Sequence, residues 1–166
     1  MKIGIVYYSR TGNTKQVAKI LEEKFKQKAE VDLIEIEHAK KPGFFKAGSA
    51  AMKQKELPIK NTDFNMEKYD FLVVGSPTWG GSPSPFIKSF MNKAENIKGK
   101  KVAVFGTGMS PINKREQFNK IMKNNLENAG VKTVDNSLFI NFKKGKIADG
   151  EQNIDNFIKT VLKTKK

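Results

Sequence analysis

The feature that most constrains this chain is the alternation of short apolar runs with amphipathic stretches. Three runs, "KIGIVYY" (2–8), "DFLVVGS" (70–76) and "KKVAVFGTG" (100–108), are almost continuous in apolar side chains. Runs of this length that hide both faces are how the inner strands of a parallel sheet read. "EVDLIEI" (30–36) alternates apolar and polar residues, as an outer strand does, and a last strand falls within "VKTVDNSLFINF" (131–142). Between these lie four segments with apolar residues at helical spacing. Residues 13–28 carry Val17, Ile20, Leu21 and Phe25 on one face, and 84–97 carry Phe86, Ile87, Phe90 and Met91. Residues 113–128 carry Phe118, Ile121, Met122 and Leu126, and 151–163 carry Ile154, Phe157, Ile158 and Val161. Strands alternating with helices predict an α/β fold: a three-layer, doubly wound parallel sheet with right-handed crossovers and the three apolar strands at its centre. Segment 38–68 fits this scheme least; it predicts a short helix around 44–54 followed by a loop. The last four residues, "KTKK", are expected to fray.

With 166 residues, no Pro/Gly/Ser-rich linker and no internal repeat, one domain spanning 1–166 is expected. No apolar run approaches the roughly 18 residues of a membrane span, and the N-terminus reads as a strand rather than a signal segment. Cysteine is absent, which excludes disulfides, thiolate metal sites and a cysteine nucleophile, and suits a cytoplasmic setting. The formal net charge is +14, yet only two of the 31 basic residues are arginine, Arg10 and Arg115. Base readers lean on arginine for bidentate contacts. The lysines are also spread along the chain rather than gathered in one run, so specific nucleic-acid binding is disfavoured. A solvated lysine surface is the plain reading, and an acidic protein partner the functional one.

In an open parallel sheet, ligands bind beyond the carboxyl ends of the strands. The first buried strand is followed there by "SRTGNT", the second by "SPTWGGSPSP" and the third by "TGMSP". The first loop opens a helix, whose N-terminus offers unpaired N–H groups and partial positive charge. Ser9, Thr11 and Thr14 add hydroxyls, Gly12 lets a ligand approach the backbone, and Asn13 serves as cap or ligand. Such a set makes an anion site, most naturally for phosphate. A capped strand-to-helix turn is the plainer reading, but capping alone calls for one such residue. Arg10 either joins the phosphate or faces solvent. There is no G-x-x-x-x-G-K-[ST], which excludes a P-loop, and no G-x-G-x-x-G after the first strand. A phosphate-accepting receiver domain would need acidic residues where Tyr8, Ser9, Arg10, Gly75 and Ser76 stand.

Trp79, the sole tryptophan, lies between Thr78 and the pair Gly80-Gly81, with Pro77, Pro83 and Pro85 stiffening the segment. At the ligand edge it suits stacking on a flat ring; packing beneath the loop as a core anchor is the alternative. The glycine pair leaves room for a backbone group beside the ring and for a peptide flip. Phosphate at the first loop, a flat ring at the second and small residues at the third describe a mononucleotide with a large ring system.

On these motifs the chain resembles the flavodoxin family. "SRTGNT" matches that family's phosphate-loop form [ST]-x-T-G-N-T, "GSPTWGGSPSP" is similar to its first ring-binding loop, and "GTGMSP" to its second. The resemblance implies a five-stranded sheet of order 2-1-3-4-5 and one non-covalent FMN. It implies Ser9, Thr11, Gly12, Asn13 and Thr14 on the phosphate, and Pro77, Thr78, Trp79, Gly80, Gly81, Thr107, Gly108 and Met109 around the ring. It also implies a peptide at Gly80-Gly81 that flips toward flavin N5 on reduction.

Three departures follow from the same comparison. The third loop offers Met109 where electron-shuttle members stack a tyrosine, so one ring face is open or covered by another group. Phe44 and Phe45 could supply such a lid, although core packing is the ordinary fate of a phenylalanine. The chain is basic where shuttle members are acidic, so less negative charge opposes the last reduction step. The final strand lacks a long insertion, as in the short-chain branch. His38, the only histidine, follows the second strand; it reads as a surface loop residue, and no catalytic acid or base is assigned. The expected function is an FMN electron carrier between redox proteins, acidic ferredoxin-like donors among them. An FMN-dependent NAD(P)H:quinone reductase of the same fold is the alternative, and a non-redox binding module a third.

Overall fold

The computed structural model describes residues 1–109 and 111–164; Ser110 of the "TGMSP" loop and the last two residues of "KTKK" lie outside the described residues. The strands are β1 Lys2–Tyr7, β2 Glu30–Glu35, β3 Phe71–Trp79, β4 Ser82–Pro83, β5 Lys101–Gly108, β6 Lys132–Thr133, β7 Leu138–Lys143 and β8 Lys146–Asp149. The helices are α1 Asn13–Lys26, α2 Phe44–Met52, α3 Pro85–Lys93, α4 Ile112–Asn128 and α5 Ile154–Lys163. The sheet runs β2-β1-β3-β5-β7-β8. Its first five strands are parallel and, counted alone, follow the expected order 2-1-3-4-5.

Three short strands extend that plan. The predicted last strand is split: β6 pairs the start of β5 and β7 its end, separated by the polar residues Asp135, Asn136 and Ser137. β8 returns antiparallel from β7 through Lys144 and Gly145, whose φ values of 51° and 75° are both positive. That is the pattern of a two-residue type I′ hairpin turn, whose twist matches paired strands. β4 pairs β3 across Gly80 and Gly81, with φ of 61° and 86°, so the glycine pair forms a second such turn. α3 is shorter than its apolar spacing suggested. Pro85 stands at its first position and Ser84 Oγ accepts from the Phe86 amide, which fixes the start; it ends at Lys93. In the last described turn Thr164 Oγ1 donates to the Thr160 and Val161 carbonyls, and Lys101 Nζ to the Thr164 carbonyl.

The period-2 geometry of the inner strands divides the core in two. Ile3, Ile5, Phe71, Val73, Ala103 and Phe105 meet α1 and α5 on one face. Val6, Leu72, Val74, Val102 and Val104 meet α3 and α4 on the other. Two glycines make room for aromatics on neighbouring strands. Gly75 pairs with Phe105, and a Cβ on Gly75 would lie 2.0 Å from Phe105 Cζ. Gly106 pairs with Phe139, and its Cβ would lie 2.7 Å from that ring.

Candidate functional site

The strand order reverses between β1 and β3, because β2 lies outside β1 on one side and β3 leads to the rest of the sheet on the other. Ligands of doubly wound sheets bind beyond the carboxyl ends at such a switch point. Here that position receives the loop 8–12, the end of β3 and the end of β5.

The first loop is held by its own residues. Ser9 Oγ accepts from the amides of Gly12 and Lys15, both at 3.2 Å. Gly12 is left-handed (φ 95°) and caps α1 without a side chain, so the first-turn amides at Asn13 and Thr14 stay unclaimed by the helix. Lys15 turns away and pairs with Glu35 at 2.6 Å. The Tyr7 hydroxyl donates to the same carboxylate at 3.2 Å; burial first, then the Glu35 charge, hold that phenol well above its ordinary range. Thr14 Oγ1 lies 2.7 Å from Thr107 Oγ1, which ties the first loop to the end of β5.

The ring-binding candidate is set differently from its expected loop. Trp79 ends β3 and is half-buried against the core, so it is both strand residue and cavity wall. Its ring stands edge-on to buried Tyr8 at 6.0 Å, and the Arg10 guanidinium lies 5.8 Å from its centroid. Arg10 Nη2 donates to the Pro42 carbonyl at 3.2 Å, while Nη1 is buried without a partner. Burial pushes the Tyr8 phenol upward, partly offset by the Arg10 charge.

A cavity of about 270 Å³ opens at this edge. Arg10, Thr11, Asn13 and Thr14 line it from the first loop, Pro77, Thr78 and Trp79 from β3, and Thr107, Gly108 and Met109 from β5. Phe142, Lys144 and Gly145 of the β7–β8 hairpin complete it. Two cations and no carboxylate face this space among the described residues, which favours an anion there. Four of the expected residues lie apart from the lining. Ser9 and Gly12 shape the loop behind it. Gly80 faces α2 near Met52. Gly81 is buried, where a Cβ would press on Gln117 and Lys114 of α4. The hairpin residues escaped sequence reading; the one available signal was the Lys-Gly pair between apolar residues, a hairpin-turn cue.

Other expectations are corrected here. Phe44 and Phe45 do not pack in the core; they are 76% and 90% exposed on α2. His38 is half-buried rather than a free surface residue: its ring packs against Tyr8 and Phe86, and its Nδ1 lies 3.4 Å from the Tyr8 hydroxyl. Met109 is 76% exposed, so it leaves the outer side of the cavity open. A wider depression, about 640 Å³, lies at the opposite edge of the sheet beside Met1, Asp70 and Lys100, away from every helix N-terminal loop described above.

Residues 5–156 match the family model described as Flavodoxin. The chain belongs to the flavodoxin family. A flavodoxin from Synechocystis sp. is 27% identical over 139 residues, covering 80% of this chain and 68% of that protein. The chain spans between 52% and 68% of the length of the curated relatives it matches. Oxidised flavodoxin 2 from Bacillus cereus superposes with a TM-score of 0.66 at 26% identity, covering 99% of each chain. A Lactobacillus acidophilus flavoprotein, solved in complex with FMN, gives a TM-score of 0.65 at 21% identity over 93% of this chain and 97% of that one, a likeness of fold.

Flavodoxin-family membership makes FMN the group to test against the residues present. A buried hydroxyl without a partner, Thr78 Oγ1, belongs to a residue on the cavity wall. An unpaired buried donor is costly, and a ligand with ring carbonyl oxygens would satisfy it. The half-buried indole supplies an apolar wall for a flat ring. The donor set, charge and wall fit FMN. Among the described residues no helix is long and apolar enough to cross a membrane, and no cluster of acidic, histidine or cysteine side chains could hold a metal.

Proposed function

We propose that this protein binds one FMN non-covalently and carries electrons between redox partners. The observation that carries the reading is the convergence of the SRTGNT loop, Trp79 and the 107–109 segment on one cavity that, among the described residues, holds two cations and no carboxylate. In this reading the flavin supplies the redox chemistry and the protein supplies binding and tuning. Amides at Asn13 and Thr14, with the hydroxyls of Thr11 and Thr14, hold the phosphate. Trp79 orients the ring, and Lys144, with the positive charge of Arg10 nearby, balances the negative charge. The type I′ turn at Gly80-Gly81, next in sequence to Trp79, has the backbone freedom for a peptide rotation.

The net charge of +14 favours an acidic partner by long-range steering, with a ferredoxin-like donor as the chemical type. One observation supports a second reading, that of an FMN-dependent NAD(P)H:quinone reductase: the exposed Met109 leaves room for a substrate on the outer ring face. An absorption spectrum of purified protein, followed by anaerobic reductive titration, tests the flavin reading. A flavin spectrum with stoichiometric uptake of added FMN is expected; colourless protein that takes up none would overturn it. Sustained NAD(P)H oxidation with a quinone and no added reductase would favour the reductase over the carrier.

A further inference from the structure

We propose that the space between α2 and Trp79 is a second ligand site, built for a planar aromatic carboxylate. It is a cavity of about 330 Å³ whose lining only partly overlaps that of the one described above. None of Thr11, Asn13 or Thr14 reaches it, so it holds no phosphate cradle. Arg10, Thr78 and Trp79 are the walls that the two cavities share.

Its shape follows from α2. Phe44, Gly48 and Met52 stand at i, i+4 and i+8, one stripe of the helix, and all three line the cavity. Gly48 leaves a slot between two large side chains, and a Cβ built there meets nothing within 4 Å. Met52 closes one end near Gly80, its Sδ 3.9 Å from where a Gly80 Cβ would be. The Trp79 indole faces the slot across from the helix. An aromatic and thioether lining around a flat gap suits a flat ring. Phe44 and Met52 are 76% and 70% exposed, a cost in apolar exposure that a bound ring would relieve.

Arg10 is the only charged residue on this wall among the described residues. Its guanidinium is anchored through Nη2 to the Pro42 carbonyl above the Trp79 ring, with Nη1 buried and unpartnered. A fixed, buried donor of positive charge is best met by a carboxylate oxygen. A neutral ring would leave it unsatisfied, so the acid is preferred over its neutral analogue. This site goes beyond the FMN reading, and its ligand binds alongside FMN rather than in its place.

The test is calorimetric titration of FMN-loaded protein with 2-naphthoate and, separately, with neutral 2-naphthalenemethanol. Should the protein take up no FMN, the same titrations on the protein as purified decide this proposal separately. Expected are saturable binding of the acid, an acid preference of about tenfold or more, and loss of that preference in Arg10→Gln. Gly48→Leu fills the slot, and Phe44→Ala removes an exposed wall. Each should weaken naphthoate severalfold while the FMN affinity and thermal midpoint hold. Equal binding of acid and alcohol, no binding, wild-type binding by both cavity variants, or displacement of naphthoate by FMN would each overturn the proposal.

Discussion

The hydroxyls of Thr14 and Thr107 meet at 2.7 Å across 93 positions of sequence, each only 1% exposed. Thr14 opens α1 and Thr107 lies near the end of β5, so this one bond sets the spacing between the first loop and the far wall of the cavity. Thr14→Val keeps the shape but leaves the Thr107 hydroxyl buried without its partner. The expected loss is about 1–3 kcal/mol of stability. Thr107→Val should cost a similar amount, and the double variant clearly less than the sum. Urea unfolding of the four proteins checks this; additive losses would show that the bond carries no coupling.

Gly75→Ala is expected to be more damaging than its size suggests. The new methyl would sit 2.0 Å from Phe105 Cζ in a packed core layer. Overpacking of this kind costs about 1–3 kcal/mol and occasionally more. Adding Phe105→Leu should recover part of it, because the leucine no longer reaches across to β3. Denaturant midpoints of the single and double variants measure the recovery, and a harmless Gly75→Ala would refute the account.

Asp32 links folding to acid pH. Its carboxyl accepts from Lys68 Nζ at 3.0 Å and from the Tyr69 hydroxyl at 2.9 Å. The Lys68 hydrogen bond above all, with Tyr69 and the positive charge of Lys68 and Lys2 behind it, holds its pKa below the ordinary 3.8. The folded chain therefore releases this proton more readily than the unfolded one. The resulting stability is fully present above the ordinary value and lost as pH falls through the lowered one. Asp32→Asn should be less stable than the parent near neutrality by a small margin, as befits a surface pair, and the gap should close in acid. Thermal midpoints between neutral and acid pH would read this directly.

Lys144 should matter for the proposed cofactor although it lies in a surface hairpin. It lines the cavity together with Arg10, and no carboxylate opposes it there among the described residues. Lys144→Ala is expected to weaken FMN about threefold to tenfold at low salt, with the difference shrinking as salt screens it. Fluorescence titration of FMN at two ionic strengths is the measurement. An unchanged affinity at low salt would remove Lys144 from the site.

How much could be read in advance follows from how local each signal is. The buried strands β1, β3 and β5 announced themselves because both faces are covered and the apolar run is unbroken. The SRTGNT loop was legible because a helix start needs few such residues, and the excess points to a ligand. Trp79 was visible as a candidate wall but not as a strand residue. Its β partner, Ser82, lies across a turn whose two positive φ values appear only in the folded chain. Phe44 and Phe45 read as either a lid or ordinary core residues, since composition alone cannot tell an exposed helix face from a buried one.

By itself the sequence determined the alternation of strand and helix, the two-faced core and the loop that favours an anion, all of which depend on residues within a few positions of one another. Only the tertiary structure decided what stands opposite that loop. Parallel register brings Thr107 to Thr14, a hairpin turn delivers Phe142 and Lys144, and α2 stands over Trp79 with Gly48 leaving a slot. These neighbours are set by strand order and by the paths of the connections, distances that no local pattern of side chains encodes.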